Sequence, residues 1–571
     1  MQSRIRLGGK RTRYNQRTWL ETHAKFRRQA STSLELAALI RHWPTNWQKA
    51  KLSDYIQHAP SASPFPLGTA QDRISNSGKF KLHHMRGGPM RPLVLIGLLF
   101  VVASSLAQTQ KTPDVAEFVS VAAPVVVLYH VRVVDGTGAA AKDDQALVIA
   151  GGKIQSIGPA TSVQIPQGAQ LLARPGYTVI PGLVGMHDHL YYTDSIALQV
   201  VGGRIGEPGE FLAEIPYTAP RLYLAAGVTT MRTTGSLEPY TDLKVKKRID
   251  ANQMPGPSID ATAPYLEGAP TQFAQMHELT GPDDAKRMVD YWAAEGMTSY
   301  KAYMHITREE LGIAIQQAHA HKLKLTGHLC SVTWPEAIAL GIDNLEHGPV
   351  FTDTEFVPNK KPDVCVSGGS DSWLKQDVNG PEVQRLISSL VSHHIAVTST
   401  LAVFECGVPG RPPLQQRVLD AMSPDSARSY LTARAQLKQD APMTALLRKE
   451  MDFEIAFVRA GGLLLAGPDP TGNGGVLPGF GDQREIELLV EAGFSPLEAI
   501  HIATENGALY LDRDDRTGTI AAGKQADLFL VKGNPLQRIE DIENVETVFK
   551  AGVGYDSQQL IDSVRGQVGL R

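Results

Sequence analysis

Between Gly182 and Gly507 the chain repeats one pattern, a short apolar run rich in β-branched residues followed by a longer amphipathic stretch. This alternation is the signal of βα units, because parallel strands need a long crossover that is usually a helix. Eight candidate strands fit it: Thr178–Leu183, Val228–Arg232, Ser258–Ala261, Thr298–Ala302, Leu323–Gly327, Asn344–Glu346, Ile395–Thr400 and Leu463–Ala466. Eight such strands predict an α/β fold, a (β/α)8 TIM-type barrel over residues 182–511. On either side the texture changes to closely spaced strands and glycine turns, as in Val125–Gly138, Gln145–Gly152, Gly518–Val531 and Val545–Gly552. Residues 120–181 and 512–557 are therefore expected to build one small β-sandwich from both ends of the chain.

In a parallel barrel the catalytic side chains stand at the C-terminal ends of the strands. The polar residues found there are His187 and His189 after the first strand, Lys301 on the fourth, His328 on the fifth, His347 on the sixth and Asp469 on the eighth. In His187-Asp188-His189 the two-residue spacing puts both imidazoles on one side of an extended strand, which suits two ligands to one metal ion. A lone pair of this kind arises by chance in any long chain, and a single histidine is as often a satisfied core residue as a ligand. Convergence of all six positions on strand ends is harder to explain that way. His319, His321, His393 and His394 lie in helix or strand-start contexts and are read as non-ligands.

The motifs Val179-Ile-Pro-Gly-Leu-Val-Gly-Met-His187-Asp-His189, Ala226-Gly-Val-Thr-Thr-Met-Arg232, Ser299-Tyr-Lys301, Thr326-Gly-His328, Asp343-Asn-Leu-Glu-His347-Gly, Ala466-Gly-Pro-Asp469, Glu498-Ala-Ile-His-Ile-Ala-Thr504-Glu-Asn506-Gly-Ala and Gly523-Lys-Gln-Ala-Asp527-Leu resemble the amidohydrolase superfamily. The likeness is to the branch with imidazolonepropionase-like hydrolases and metal-dependent dipeptidases, and it runs from about Val125 to Gly554. It implies His187 and His189 on a more buried metal, His328 and His347 on a second, and Lys301, carboxylated on its amine, bridging two Zn2+ ions. It implies Asp469 as a further ligand and as the general base that moves a proton from water to the leaving amine. The resemblance thus implies hydrolysis of a C–N bond in a small amide, a dipeptide or an N-acyl amino acid. A cyclic-amide hydrolase and a non-catalytic ligand-binding barrel are the alternatives. Pro468 departs from the usual Gly-Thr-Asp or Gly-Ser-Asp, changing backbone freedom without removing the carboxylate. Tyr191, Arg232, Tyr303 and His305, near strand ends, are candidates for contacting substrate.

Composition excludes little beyond this. With 42% hydrophobic and 20% charged residues and a formal charge of -3, the 571-residue chain is ordinary for a soluble protein and carries no electrostatic footprint for nucleic acid. A small molecule is the expected partner, and homo-oligomers are left open. Cys330, Cys365 and Cys406 are too few for a disulfide framework, with Cys365–Cys406 the one bridge left open. Residues 1–84 are basic and lack apolar periodicity, and they read as an unfolded or mis-called extension. A nucleic-acid-binding or lipid-binding tail there would rest on charge alone. Residues 85–107 have the plan of a signal peptide: Met90-Arg91-Pro92, an apolar run Leu93–Val102, then Ser105 and Ala107 before a cleavage point. That run is shorter than the ~20 residues of a membrane span, so the expectation is a periplasmic or secreted protein with no retained anchor.

Overall fold

The computed structural model describes residues 113–193, 212–438 and 442–569. The extension over 1–84, the signal segment over 85–107 and the Gly202–Gly209 stretch of the first long loop lie outside the described residues.

The chain opens with β1 (Val119–Val121), β2 (Val125–Val133), β3 (Lys142–Ala150), β4 (Lys153–Pro159), β5 (Gln170–Ala173) and β6 (Tyr177–Pro181). The middle of the chain supplies β7 (Leu183–Asp188), β8 (Tyr191–Thr193), β9 (Leu212–Glu214), β10 (Val228–Thr233), β11 (Ser258–Ala261), β12 (Ser299–Ala302), β13 (Lys324–Gly327), β14 (Asn344–Glu346), β15 (Ala396–Ser399) and β16 (Leu464–Ala466). It closes with β17 (Leu528–Lys532), β18 (Val545–Lys550) and β19 (Val553–Asp556).

Residues 119–181 and 528–556 share one nine-stranded sheet, ordered β1-β19-β18-β17-β6-β2-β3-β4 with β5 beside β2. The two stretches meet where β6 runs antiparallel to β17, Tyr177 opposite Lys532 and Pro181 opposite Leu528. Alternation along β2 sends Val126, Leu128, Val131 and Val133 into one apolar cluster and Val127 into another, so both faces of this strand are covered.

The sequence pattern runs Thr178–Leu183 together as one strand of the barrel, and the structure divides it at Gly182. β6 before it belongs to the composite sheet, while β7 after it begins the parallel set. Gly182 donates its N–H to Asp527 O at 2.9 Å, and a Cβ on it would overlap the Thr229 side chain at 2.0 Å. A continuous apolar run gives no sign that its hydrogen-bonding partner changes half-way.

The eight parallel strands lie in two sheets, β11-β10-β7 and β12-β13-β14-β15-β16. At one seam Thr298 N–H donates to Ala261 O at 2.8 Å and Ala263 N–H to Ser299 O at 2.9 Å. At the other, Asp469 N–H donates to His187 O at 3.0 Å. Helices between the strands pack one apolar stripe inward, as with Ala285, Met288, Val289 and Trp292 of Pro282–Glu295 and Val383, Leu386, Ile387 and Leu390 of Pro381–Ser392. Capping boxes at Thr307/Glu310, Thr333/Glu336 and Ser495/Glu498 satisfy free amides at three helix starts. No described helix is long and apolar enough to cross a membrane.

Candidate metal centre

The strand ends bring the predicted ligands together. Asp469 is the hub: its Oδ1 lies 3.3 Å from His189 Nε2, and its Oδ2 lies 3.8 Å from His187 Nε2 and 3.9 Å from His347 Nδ1. His187, His347 and Asp469 offer ligand atoms all within 4.8 Å of one another. Lys301 Nζ stands 3.2 Å from His187 Nε2 and donates to Thr234 O at 3.2 Å. His328 joins through its ring, 4.5 Å centroid to centroid from His347, which is itself 4.4 Å from His187. His347 thus packs directly against His187.

The backbone is bent to achieve this. His347 has φ 69° and Asp469 φ 49°, both in the left-handed region that residues other than glycine seldom adopt. Each is fixed by a backbone bond, His347 N–H to Thr398 O at 3.0 Å and Asp469 N–H to His187 O at 3.0 Å. Conformations that cost about 1–3 kcal/mol persist only where the surroundings over-determine them, and they cluster at functional sites.

Burial sets the protonation of the group. It pushes His187 and His347 below the usual imidazole range, His189 down to about 4 and His328 to about 3, which leaves neutral rings able to ligate. Burial also lowers Lys301, to about 8, against the pull of Glu346 and Asp469. For Asp469 burial works toward protonation, but His187, His189 and His347 outweigh it and hold the carboxyl well below its ordinary value.

A second layer fixes the ligands, and its key member escaped sequence reasoning. Glu346, fully buried, accepts a hydrogen bond from His187 Nδ1 at 2.8 Å through Oε2. Its Oε1 accepts from the Arg232 guanidinium at 2.7 Å and from the Thr326 hydroxyl. Burial alone would raise this carboxyl, but Arg232, His187 and Lys301 hold it far below the usual range. The Nδ1 bond turns His187 so that Nε2 faces Lys301 and Asp469. The readable signal was the alternation in β14, where Asn344 and Glu346 share one face of a strand expected to be buried. His347 is held by Thr400, Nδ1 to Oγ1 at 2.8 Å, and His189 by Tyr223, whose hydroxyl donates to His189 O at 2.9 Å.

Arg232 is a correction. Expected to reach substrate, it is 1% exposed and spends its donors inward on Met186 O at 2.8 and 2.6 Å, Asn344 Oδ1 at 3.0 Å and Glu346. Its position in β10 points it inward, beneath the ligands. Tyr191 and Tyr303 do border the centre: Tyr191 stacks on His189 at 4.2 Å and Tyr303 lies 4.7 Å from His328. His305 is turned toward Glu267, with its N–H 2.6 Å from Oε1 and Nδ1 3.6 Å from Oε2. His319 and His321 pair with Asp343 and Asp290 at 3.0 and 2.7 Å, away from the ligands.

The cysteines form the pair that sequence reasoning passed over. Cys330 is bonded to Cys365, and Cys406 is buried and free. Chain spacing carries no information about which loops stand side by side, and here the loop after β13 meets the one after β14. Lys360 Nζ to Ser331 O at 2.6 Å and Thr354 Oγ1 to Cys330 O at 2.8 Å tie the same two loops.

Residues 476–554 match the family model described as the amidohydrolase family. The matched stretch runs from the helix Phe480–Ala492 through β17 and β18, and the metal-ligand candidates lie outside it. No curated protein matches the chain in sequence. Among solved structures, one assigned as a prolidase from Bifidobacterium longum is similar at 24% identity and TM-score 0.56, covering 77% of this chain and 98% of its own. A Xaa-Pro dipeptidase with bound methionine is 20% identical, TM-score 0.55, over 76% of this chain and 100% of that one. The ochratoxinase of A. niger is 18% identical, TM-score 0.54, over 78% and 99%. At these identities the likeness is one of fold.

Proposed function

We propose that this chain is an amidohydrolase, a metal-dependent hydrolase of a C–N bond in a small amide, such as a dipeptide or an N-acyl amino acid. The observation that carries the reading is the meeting of His187, His189, Lys301, His347 and Asp469, all buried, at the ends of parallel strands. In this reading the two parallel sheets are the halves of one (β/α)8 barrel, supported by the backbone hydrogen bonds at both seams. The composite sheet stands where the sandwich is expected.

The residues fit divalent metal. The set is imidazole nitrogen and carboxylate oxygen, the donor types zinc takes, and His189 Nδ1 is buried with no hydrogen-bond partner. His187 and His189 would hold one ion, His328 and His347 another, with Lys301, carboxylated on Nζ, between them and Asp469 on the first. Such ions supply Lewis acidity and lower the pKa of a water toward ~7. The chain's own part is orientation and proton transfer. Glu346 fixes the ring of His187, Thr400 that of His347, and the positive φ of Asp469 aims its carboxylate among the rings. That carboxylate takes the proton of the attacking water and returns it to the leaving nitrogen. Tyr191 and Tyr303, packed on the ligand rings, narrow the water around them.

Export through the segment 85–107 belongs to the same proposal and is supported by the Cys330–Cys365 bond, since such bonds persist in oxidising compartments.

The test combines elemental analysis with hydrolysis of a dipeptide and N-acyl amino-acid library, on wild type and Asp469→Asn. Two metals per chain and metal-dependent cleavage that falls at least about a hundredfold in the variant are expected. A purified, folded protein without stoichiometric metal would overturn the reading.

A further inference from the structure

The amidohydrolase site has walls of a particular chemistry. Among the described residues, and apart from the ligands, the side chains whose rings pack on the ligand imidazoles are Tyr191 on His189, Tyr303 on His328 and Phe404 on His347, the last at 5.7 Å and nearly edge-on. None carries a charge at neutral pH. Phe404 lies flat on Phe351, with centroids 3.3 Å apart and planes within 4°.

The placement of that pair follows from the site. Phe351 is in the short helical turn Pro349–Thr352 that leaves His347, and Phe404 is in the helix Leu401–Glu405 that leaves Thr400. His347 and Thr400 are joined by the 2.8 Å hydrogen bond, so the two phenyl rings are indexed to the ligand itself. Both rings stay half-buried, whereas their neighbours Val350 and Leu401 are fully buried. Both rings also pack against the main core, and each keeps part of its surface exposed.

A charged substrate group lying against Tyr303 or Phe404 would lose hydration and find no counter-ion in these rings. A flat apolar group would bury its area and stack. Nearby His305 does not reverse this, because burial lowers it and Glu267, itself raised to about 8 by burial, takes its backbone N–H.

We propose that the half-open Phe351–Phe404 stack beside His347 is a subsite for an aromatic group next to the scissile C–N bond, so that the substrate class is benzyl-like or aryl amides. This rests on the metal-hydrolase reading, which it narrows. Loss of the stack removes the preference for the ring and leaves the ligand set in place.

The experiment measures binding of phenylacetohydroxamate and acetohydroxamate to the zinc-loaded protein by calorimetry, for wild type, Phe351→Ala, Phe404→Ala and the milder Phe404→Leu. Metal content and circular dichroism are recorded for each. The phenyl compound is expected to bind wild type about tenfold or more tightly than its methyl counterpart. That ratio should fall toward one in the alanine variants with metal content kept. Equal binding of the two compounds by wild type, a ratio unchanged in every variant, or binding of neither compound would each overturn the proposal. Amide hydrolysis assayed in parallel separates the two readings: ring preference without turnover of any amide counts against the hydrolase reading, and turnover without ring preference against this one.

Discussion

At the residue scale the site depends on groups that never meet substrate. Glu346 is bonded to His187 on one side and to Arg232 and Thr326 on the other, so one carboxylate links residues from β7, β10, β13 and β14. Replacing it by glutamine keeps the volume and loses the charge that balances Arg232 and orients His187. Metal affinity in Glu346→Gln should drop about 10- to 100-fold, read by competition with a chromophoric chelator. An affinity within twofold of wild type would show that His187 is oriented without it. Sequence pattern alone named strand-end residues that the fold brings together but did not give the direction of Arg232, because a strand-end position does not say whether a side chain points up to the mouth or down into the polar layer beneath.

At the element scale the loops are held by more than their own hydrogen bonds. The Cys330–Cys365 bond joins the segments that follow β13 and β14, two residues after His328 in one case. It closes a separation of 35 residues, for which the loss of loop-closure entropy in the unfolded chain corresponds to about 4 kcal/mol. Cys365→Ser should lower stability by roughly that amount in urea unfolding, with a smaller change in a fully reduced wild type counting against the bridge. The strand division at Gly182 belongs to this scale too. Apolar periodicity located β6 and β7 as one run, and only the partner strands, β17 for the first and β10 for the second, separate them.

At the scale of the whole molecule residues 119–181 and 528–556, far apart in sequence, build one sheet. β17, β18 and β19 come after every parallel strand, yet they fill the middle of the sheet between β6 and β1. A chain cut after residue 511 would leave the edges of β1 and β6 open and Leu528, Phe529 and Phe549 missing from the core. It should be insoluble or melt without cooperativity by circular dichroism; a soluble truncation with a sharp transition would show that the parallel part folds alone. The proposed metal can be tested at this scale as well. A ligand that binds only the folded state stabilises it, so chelation with excess EDTA should lower Tm by several degrees at low free metal, and an unchanged Tm would place no metal in the folded protein.

The sequence by itself determined the α/β class, the positions of the strands and the residue types that face the site, because hydrophobic period and strand-end placement are local properties. Only the tertiary structure decided that His347 packs on His187, that Glu346 and Arg232 form the layer beneath, that Cys330 meets Cys365 and that Phe351 covers Phe404. Each of these pairs joins residues from different βα units, or from the two sides of one, and their meeting depends on how strands are arranged in space. That arrangement follows from burial summed over the whole core, which no short stretch of sequence contains.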